Sequence, residues 1–341
     1  FVIGGAQIYN TAIENRHKIN IDRLYWTRIF KDIDTDVKLN NELFKDFISD
    51  FNNSFVSKTM VDHSDINYDF RILTKENDKF ILKDKIFPSE EYQYLDLLKE
   101  ISEKGEERPD RTNTGIKSLF GKMMRFDLSE SFPLLTTKKV FYRGIFEELL
   151  WFLRGETNGE ILLNKNVTIW KGNGTREFLD KRGLVNNKEN DLGPVYGFQW
   201  RHFGAEYETC ESNYEGKGID QLSLLIQELK ANKFSRRHIL SSWNPTSIPQ
   251  MALPPCHVLF QLYVSSDNKL SCSLYQRSGD VGLGIPFNIA SYAMLTCLLA
   301  HHLNFKRGEF IHFMGDTHIY LNHLEVLKTQ MNKIPNPFPI L

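Results

Sequence analysis

The chain has 341 residues, of which 42 are basic and 43 acidic, so the formal net charge at pH 7 is −1. This balance gives no overall field that favours a nucleic acid or a membrane surface, and no apolar run is long enough to span a bilayer, so we expect neither as an obligatory partner. The four cysteines, at positions 210, 256, 272 and 297, have neither disulfide nor zinc spacing, which predicts no metal site and a reducing, cytoplasmic location.

The first predicted elements are a strand over 1–3, the pair Gly4-Gly5 and a helix over 6–15. Glycines before a helix N-terminus can hold a phosphate through backbone N–H groups, although an ordinary tight turn is the more frequent meaning of this pattern. A further strand is predicted over 66–73, and the charged stretch 75–85 reads as a linker.

A helix is predicted from residue 89 to Gly105, with Ser89 as its N-terminal cap and one apolar face. The loop that follows presents Arg111, which by default is solvated. A second helix carries Glu148 on its apolar stripe, because residues 145, 148, 149 and 152 share one face. Partial desolvation raises a carboxyl pKa, so Glu148 suits proton transfer near neutral pH. The alternative is a structural glutamate bonded to a buried partner.

Two prolines precede Cys256 and stiffen a turn before the apolar run 258–264, which is typical of a strand. A rigidly held thiol suits a nucleophile, and a buried structural cysteine is the equally weighted alternative. The runs 258–264 and 270–275 predict a hairpin that delivers Arg277 beside Ser278, a good phosphate site. After a glycine-rich loop, the Asn288 amide can read a base edge. Together these features predict covalent chemistry on a nucleotide.

The segments 254–257, 276–280 and 287–292 closely resemble thymidylate synthases. The resemblance runs from about residue 91 to 341 and includes 110–112, 148–151, 193–197 and 316–320 in the family's order. It implies an α/β (α+β) thymidylate synthase fold, in which helices flank a mixed β-sheet. It also implies a homodimer through the synthase domain, and reductive methylation of dUMP to dTMP with 5,10-methylenetetrahydrofolate as the cosubstrate.

The resemblance also assigns roles to individual residues. It implies that Cys256 is the nucleophile and that Glu148 and Tyr196 take part in proton transfer. It also implies that Asn288 binds the base and that Asp280 binds the pterin. The implied dUMP-binding residues are Arg111, Arg236, Arg237, His257, Gln276, Arg277, Ser278, Gly279, Asp280, Asn288, His318 and Tyr320, with the two arginines at 236–237 acting from the partner subunit. The implied folate-binding residues are Phe141, Ile169, Trp170, Asn173, Asp280, Leu283, Gly284 and Phe287.

The segments 3–9 and 24–29 resemble the second half of dihydrofolate reductase, and the predicted strand 66–73 fits that fold's closing strand. This implies a partial NADPH site at Gly4, Gly5, Ala6, Gln7 and Ile8. We therefore expect three parts: 1–75, a reductase-like α/β segment without its first half; 76–88, a linker; and 89–341, a synthase domain without the family's C-terminal tail. The combination resembles the bifunctional dihydrofolate reductase–thymidylate synthases, whose reductase restores tetrahydrofolate with NADPH.

Two alternatives remain from the sequence. A deoxycytidylate hydroxymethylase shares the scaffold, but such enzymes carry an acid at the position of Asn288. The other is a truncated, non-catalytic scaffold or an RNA-binding relative. The retention of every chemical group argues against the loss of activity.

Overall fold

The structure is a computed structural model that describes residues 89–110 and 112–341, together with residues 11 and 14 and the strand segments 23–29, 60–61, 67–76 and 79–82. The chain divides into two compact units. One unit comprises residues 1–89 and 333–337, and the other comprises 90–332 and 338–341. The predicted strand at 1–3 and the glycine pair lie outside the described residues, as does Arg111.

Four strands are described in the first unit: β1 (Arg23–Ile29), β2 (Met60–Val61), β3 (Asn67–Glu76) and β4 (Lys79–Leu82). The central strand β3 pairs antiparallel with each of the other three. The predicted strand over 66–73 is confirmed as the first part of β3. Strand β4 occupies part of the charged segment that the sequence favours as a linker.

The second unit is built on a six-stranded sheet in the order β5-β6-β10-β9-β8-β7. Its strands are β5 (Glu106–Arg108), β6 (Ile116–Asp127), β7 (Ile239–Ser241), β8 (His257–Val264), β9 (Lys269–Asp280) and β10 (Lys306–Tyr320). Every neighbouring pair is antiparallel except β9 and β10, which are parallel. The predicted mixed sheet is confirmed for this unit.

Nine α-helices are described in the second unit. They are α1 (Tyr92–Lys104), α2 (Tyr142–Leu153), α3 (Glu160–Leu163), α4 (Lys171–Gly174), α5 (Arg176–Lys181), α6 (Tyr196–His202), α7 (Gln221–Ala231), α8 (Gly284–His302) and α9 (Leu324–Met331). Among the described residues, no helix combines the length and the apolar character needed to cross a bilayer.

Helix α8 runs through the middle of the core and contacts β9, β10 and α2. Twelve of its residues are buried, so it is apolar on all sides rather than on one stripe, as expected for a central helix. Its Tyr292 packs between Phe260 of β8 and Phe310 of β10. This packing fixes the helix N-terminus, where Asn288 lies, against the sheet.

The predicted hairpin is confirmed, because β8 and β9 pair antiparallel around a turn in which Asn268 has a φ of 68°. Two details of this region differ from the prediction. Strand β9 extends beyond the predicted 270–275 and includes residues 276–280. Pro286 and Asn288 lie in helix α8, which begins at Gly284. Proline is accepted there because N–H groups in the first helical turn have no partner within the helix.

Helix α1 begins differently from the prediction, with Glu91 rather than Ser89 at its N-terminal boundary. The Glu91 side chain is fully buried and accepts four hydrogen bonds of 2.6–2.9 Å. The donors are the backbone N–H and hydroxyl groups of Thr136 and Thr137. One carboxylate therefore fastens the segment before α2 to the start of α1.

We expect Glu91→Ala to lower the free energy of unfolding by about 3 kcal/mol or more, because several buried donors would lose their acceptor. Urea denaturation followed by circular dichroism measures this loss. Glu103→Ala, at an exposed position of the same helix, is the matched control and should change stability by less than about 0.5 kcal/mol. Equal effects of the two substitutions would contradict the role of Glu91.

Candidate active site

The turn that carries Cys256 lies immediately before strand β8. The backbone N–H of Cys256 donates to Tyr196 Oη at 2.7 Å, and its carbonyl accepts from the backbone N–H of Arg277 at 2.9 Å. The cysteine is half-buried rather than enclosed in the core. The structure therefore favours a thiol held in position at the start of a strand over a buried structural cysteine.

The guanidinium of Arg277 fastens the same turn from the neighbouring strand. Its Nε donates to the carbonyl of Pro255 and its Nη2 to that of Pro254, both at 2.9 Å. It also lies 5.7 Å from the ring centroid of Trp243. These two hydrogen bonds use two of the five N–H donors of Arg277, so the predicted phosphate ligand also holds the turn that carries Cys256. The sequence motif gave no indication of this second contact.

Tyr196 connects the cysteine turn to the glutamate on α2. It is the first residue of α6 and is almost fully buried. Its ring lies 5.9 Å from that of Trp170, whose indole N–H donates to Glu148 Oε1 at 2.8 Å. Burial is the main cause that raises the pKa of Tyr196, and the negative charges of Cys256 and Glu148 raise it further. All four side chains belong to one site.

Burial also raises the pKa of Glu148, from 4.5 to about 7, although the hydrogen bond from Trp170 lowers it in part. The apolar helix stripe predicted this desolvation. The structural alternative is also partly correct, since Glu148 does bond to a buried partner. A carboxyl group with a pKa near 7 can hold or release a proton at the pH of the cell.

The parallel pairing of β9 and β10 brings together groups that are about forty residues apart in sequence. Ser278 lies opposite Asp316, and Asp280 lies opposite His318. The imidazole Nδ1 of His318 contacts Asp316 Oδ1 at 2.8 Å, and its ring meets that of Tyr320 edge-on. The predicted ribose pair therefore lies beside the predicted phosphate and pterin ligands.

Two residues of this region were not predicted from the sequence. Arg108 of β5 donates to the second carboxylate oxygen of Asp316 at 2.9 Å, which orients the partner of His318. Lys138 donates to the carbonyl of Gly282 at 2.6 Å, next to the turn that Asp280 closes by accepting from two backbone N–H groups. The alternation of Asp316 and His318 along a strand would have indicated their common face. No comparable sequence pattern identifies Arg108 as part of this region.

The amide of Asn288 contacts the sheet through Gln276. The Nε2 of Gln276 donates to Asn288 Oδ1 at 3.0 Å and to the Ser278 carbonyl at 2.9 Å. Burial lowers the pKa of His257 to about 4, and a side-chain hydrogen bond with Asn288 raises it in part. A neutral imidazole and two amides therefore surround the position where a base edge would be read.

The predicted folate-binding residues include several apolar side chains that are exposed to solvent. Phe141 and Ile169 are 43% and 39% exposed and precede α2 and α4, while Leu283 is 56% exposed and precedes α8. Trp170 is nearly buried against Tyr196. Asn173, Gly284 and Phe287 are partly exposed. The residues of the described part of the chain contain no cluster of histidine, cysteine and carboxylate groups suited to a metal ion.

Three sets of predicted residues are not brought to this site by the described chain. Arg236 and Arg237 are exposed, and the Arg236 carbonyl accepts from the side chain of Gln261, five residues along β8 from Cys256. That separation is about 16 Å, more than one side chain spans. Arg111 lies outside the described residues. The partial NADPH site, Gly4, Gly5, Ala6, Gln7 and Ile8, also lies outside them.

Residues 92–341 match the family model described as thymidylate synthase. A bifunctional dihydrofolate reductase-thymidylate synthase of Paramecium tetraurelia is 51% identical over 346 residues, which cover 100% of this chain and 72% of the relative. The chain belongs to the thymidylate synthase family.

Two further relatives differ in how much of this chain they match. A thymidylate synthase of Candida albicans is 57% identical and covers 74% of this chain and 85% of its own length. A bifunctional dihydrofolate reductase-thymidylate synthase of Plasmodium berghei is 46% identical and covers 100% of this chain, which spans only 65% of that relative. Thymidylate synthases are methyltransferases of dTMP formation, and the chain is an enzyme of this class.

The raised pKa of Glu148 has a measurable consequence for the stability of the chain. Between about pH 4.5 and 7 the unfolded chain releases a proton that the folded chain retains, so this group lowers stability as the pH rises. Because one pKa unit corresponds to about 1.4 kcal/mol, this group should lower the free energy of unfolding by about 3 kcal/mol between pH 4.5 and 8. Glutamine does not titrate, so we expect Glu148→Gln to abolish this decrease. The stability of the variant relative to the original chain should therefore increase across this range.

Urea unfolding at several pH values measures that difference. The matched control is Glu147→Gln, at the adjacent position of α2, where the carboxylate pairs with Lys165 at the surface. A stability difference between Glu148→Gln and the original chain that stays constant with pH would contradict the assignment.

Proposed function

We propose that the chain converts dUMP to dTMP with 5,10-methylenetetrahydrofolate, using Cys256 as the nucleophile and Glu148 as the proton-transfer group. The observation that carries this proposal is the arrangement of these two groups around Tyr196. The alternatives, a hydroxymethylase of deoxycytidylate and a non-catalytic scaffold, are not favoured, because the relatives are named as thymidylate synthases and Asn288 is an amide.

The nucleophile is assigned to Cys256 because the other three thiols are held protonated. Burial raises the pKa of Cys272 to about 12 and also raises that of Cys297. Burial, followed by the nearby charges of Asp191 and Glu211, raises the pKa of Cys210 to about 12. Thiolates rather than thiols attack electrophiles, so these three groups are poor nucleophiles at neutral pH. Cys256 is also the only one of the four bonded to Tyr196 in this part of the chain.

In this mechanism the Cys256 sulfur forms a bond with C6 of the uracil ring, and the negative charge that develops makes C5 nucleophilic. The folate supplies a one-carbon unit and then a hydride, and so leaves as dihydrofolate. Glu148, which titrates near pH 7, and the Tyr196 hydroxyl beside Cys256 are placed to transfer the proton that C5 loses. Loss of the C6–sulfur bond then regenerates the thiolate.

The nucleotide would be held by three sets of groups. Arg277 and Ser278 of β9, with Arg111, suit the phosphate, because a guanidinium beside a hydroxyl gives charge-assisted hydrogen bonds. His318 and Tyr320 suit the ribose, with His318 oriented by Asp316. The remaining set reads the base and consists of Asn288, Gln276 and His257.

The folate would lie against the partly exposed apolar side chains at the mouth of the site. A pterin and its aminobenzoyl ring are flat and largely apolar, which suits contact with Phe141, Ile169 and Leu283. Asp280 provides a carboxylate for the polar edge of the pterin. It also fixes the turn that carries Leu283, by accepting from the backbone N–H of that residue at 3.1 Å.

Incubation with 5-fluoro-dUMP and methylenetetrahydrofolate should produce a covalent adduct on the peptide that contains Cys256. Fluorine at C5 cannot leave as a cation, so the step that follows methylene transfer is blocked. Denaturing mass spectrometry identifies the modified peptide. Cys256→Ser should give no adduct yet still bind dUMP, because its phosphate ligands are unchanged. An adduct on Cys210, Cys272 or Cys297 would refute the assignment.

We also propose that the chain acts as a homodimer through the uncovered face of the six-stranded sheet. Met123, Phe313 and Tyr275 lie side by side on β6, β10 and β9 and are 50%, 44% and 42% exposed. Further exposed apolar side chains on these and the neighbouring strands include Phe120, Tyr263 and Ile239. A contiguous apolar patch of this kind is typical of a protein interface. A twofold axis through it would make one self-complementary surface.

The position of Arg236 and Arg237 supports this dimer. They precede β7 at the edge of the same sheet, about 16 Å from their own Cys256 by strand spacing. Within one chain they do not complete the phosphate site. A partner placed on the apolar face would bring its own pair to the site, where additional guanidinium groups would strengthen phosphate binding.

Mixed dimers test this arrangement. A Cys256→Ala chain and an Arg236→Glu/Arg237→Glu chain should each be nearly inactive alone. In the mixed dimer, one pocket combines an intact Cys256 from one chain with intact arginines from the other, so mixing should recover up to one active site per mixed dimer. Turnover after subunit exchange measures this recovery.

The matched control mixes Cys256→Ala with Glu148→Ala. Both groups lie in one chain's pocket, so every pocket of that mixed dimer lacks one of them and activity should stay low. If exchange is confirmed and the arginine mixture also stays at the level of its parents, the arginines do not act across the dimer.

For the first unit we propose the C-terminal part of a dihydrofolate reductase-like domain, within a cytoplasmic bifunctional protein that also uses NADPH. The alignments to the bifunctional relatives cover 100% of this chain, while that to the Candida thymidylate synthase covers 74%. The antiparallel pairing of β1 with β3 fits a sheet of that fold. A reductase would convert the dihydrofolate released by the synthase back to tetrahydrofolate.

A further inference from the structure

A buried histidine outside the predicted site contacts the amide pair that reads the base. His312 of β10 is fully buried, and its Nε2 lies 2.9 Å from Gln276 Oε1. Its Nδ1 has no hydrogen-bond partner among the described residues. An amide oxygen can only accept, so the proton must lie on Nε2 of His312 and the ring donates.

The direction of every hydrogen bond in this cluster then follows. The carbonyl of Ser278 can only accept, so the atom of Gln276 that faces it at 2.9 Å must be Nε2. The second hydrogen of this nitrogen points to Asn288 at 3.0 Å, which must therefore present its Oδ1. His312, Gln276 and Asn288 form a single chain of donors that runs in one direction.

This direction matters because the two orientations of the Asn288 amide read different bases. With Oδ1 toward a ring N–H and Nδ2 toward a carbonyl, asparagine matches uracil. Rotated by half a turn, the same side chain would place a donor toward a ring nitrogen and an acceptor toward an amino group, which matches cytosine. Discrimination therefore depends on whatever prevents this rotation.

We propose that His312 is a positioning residue for base selection: by donating to Gln276 it fixes the amide of Asn288 in the orientation that matches uracil. The inference rests on the proposed use of dUMP. Without the donor, Gln276 Oε1 would be buried without a partner, and the side chain would relieve this by turning away from its present position. Asn288 would then lose the N–H that fixes its amide, and both orientations would become accessible.

Burial maintains this donor across the pH range of the cell. Desolvation, followed by the neighbouring His257, lowers the pKa of His312 to about 3. Both imidazoles therefore remain neutral. Since the ring of His312 has one proton and its only acceptor is Gln276 Oε1 among the described residues, the tautomer is fixed by the same contact.

The test compares His312→Met with His312→Gln in the whole chain. The two side chains are similar in size, but only glutamine can donate to Gln276. Equilibrium binding of dUMP and dCMP gives the affinity ratio for each variant. We expect the ratio to fall about fivefold or more in His312→Met, as an unsatisfied buried acceptor implies, and to be restored in His312→Gln. An unchanged ratio in a folded His312→Met chain overturns the proposal.

Two controls separate this proposal from the proposed function. His238→Met removes another fully buried imidazole, whose two nitrogens have no described partners, and should leave the ratio unchanged. Asn288→Asp should shift the ratio toward dCMP. If Asn288→Asp shifts the ratio and His312→Met does not, Asn288 reads the base without His312. If neither shifts it, Asn288 does not read the base, and the proposal fails with that assignment.

If His312→Met does not fold, a measurement that needs no nucleotide tests the proposed donor role of His312. Nitrogen-15 NMR of histidine-labelled protein distinguishes the two neutral tautomers from the imidazolium. The signal of His312 is assigned by its loss in His312→Gln. We expect the neutral form protonated at Nε2 between pH 5 and 9. A ring protonated at Nδ1, or a charged ring in this range, overturns the proposal.

Discussion

The parallel pairing of β9 with β10 is the contact on which the rest of the site depends. In a sheet that is otherwise antiparallel, this pair lies at the centre and aligns Ser278 with Asp316 and Asp280 with His318. Parallel strands need a long crossover, and here the crossover contains α8, which carries Asn288. One pairing therefore brings together the groups that we propose for the phosphate, the ribose and the base.

The antiparallel neighbour β8 brings the proposed nucleophile, Cys256, to this arrangement. His257 pairs with Gln276, so the cysteine just before the strand lies beside Arg277. A shift of one residue in this register would turn every side chain of β8 to the opposite face. Burial on the α8 side excludes that shift, because Phe260 packs there against Tyr292.

Much of this could be predicted from local patterns. The apolar runs 258–264 and 270–275 predicted the hairpin, and the helical stripe around Glu148 predicted a desolvated carboxylate. The stiff turn at Cys256 was also recognisable. Each of these features depends on residues that are close in sequence, where periodicity and turn chemistry carry the information.

The errors have a common physical origin in contacts between distant segments. Helix α1 has Glu91 rather than the predicted cap Ser89 at its N-terminal boundary, and Thr136 and Thr137 bind the Glu91 side chain from across the fold. Pro286 follows two glycines and reads as a loop, yet the core extends α8 over it. The sequence around His312 indicates only an ordinary strand. The register of β9 and β10 is what brings His312 to Gln276. Pairing of distant strands cannot be read from a single segment.

The protonation of the other three thiols also determines how the chain meets oxidants and alkylating agents. Such reagents react mainly with exposed thiolates. Cys272 and Cys297 are buried, and burial followed by the neighbouring acids disfavours the ionised form of Cys210. Chemical damage is therefore directed to the turn at Cys256, so a bound nucleotide that covers this turn would also protect the protein from inactivation.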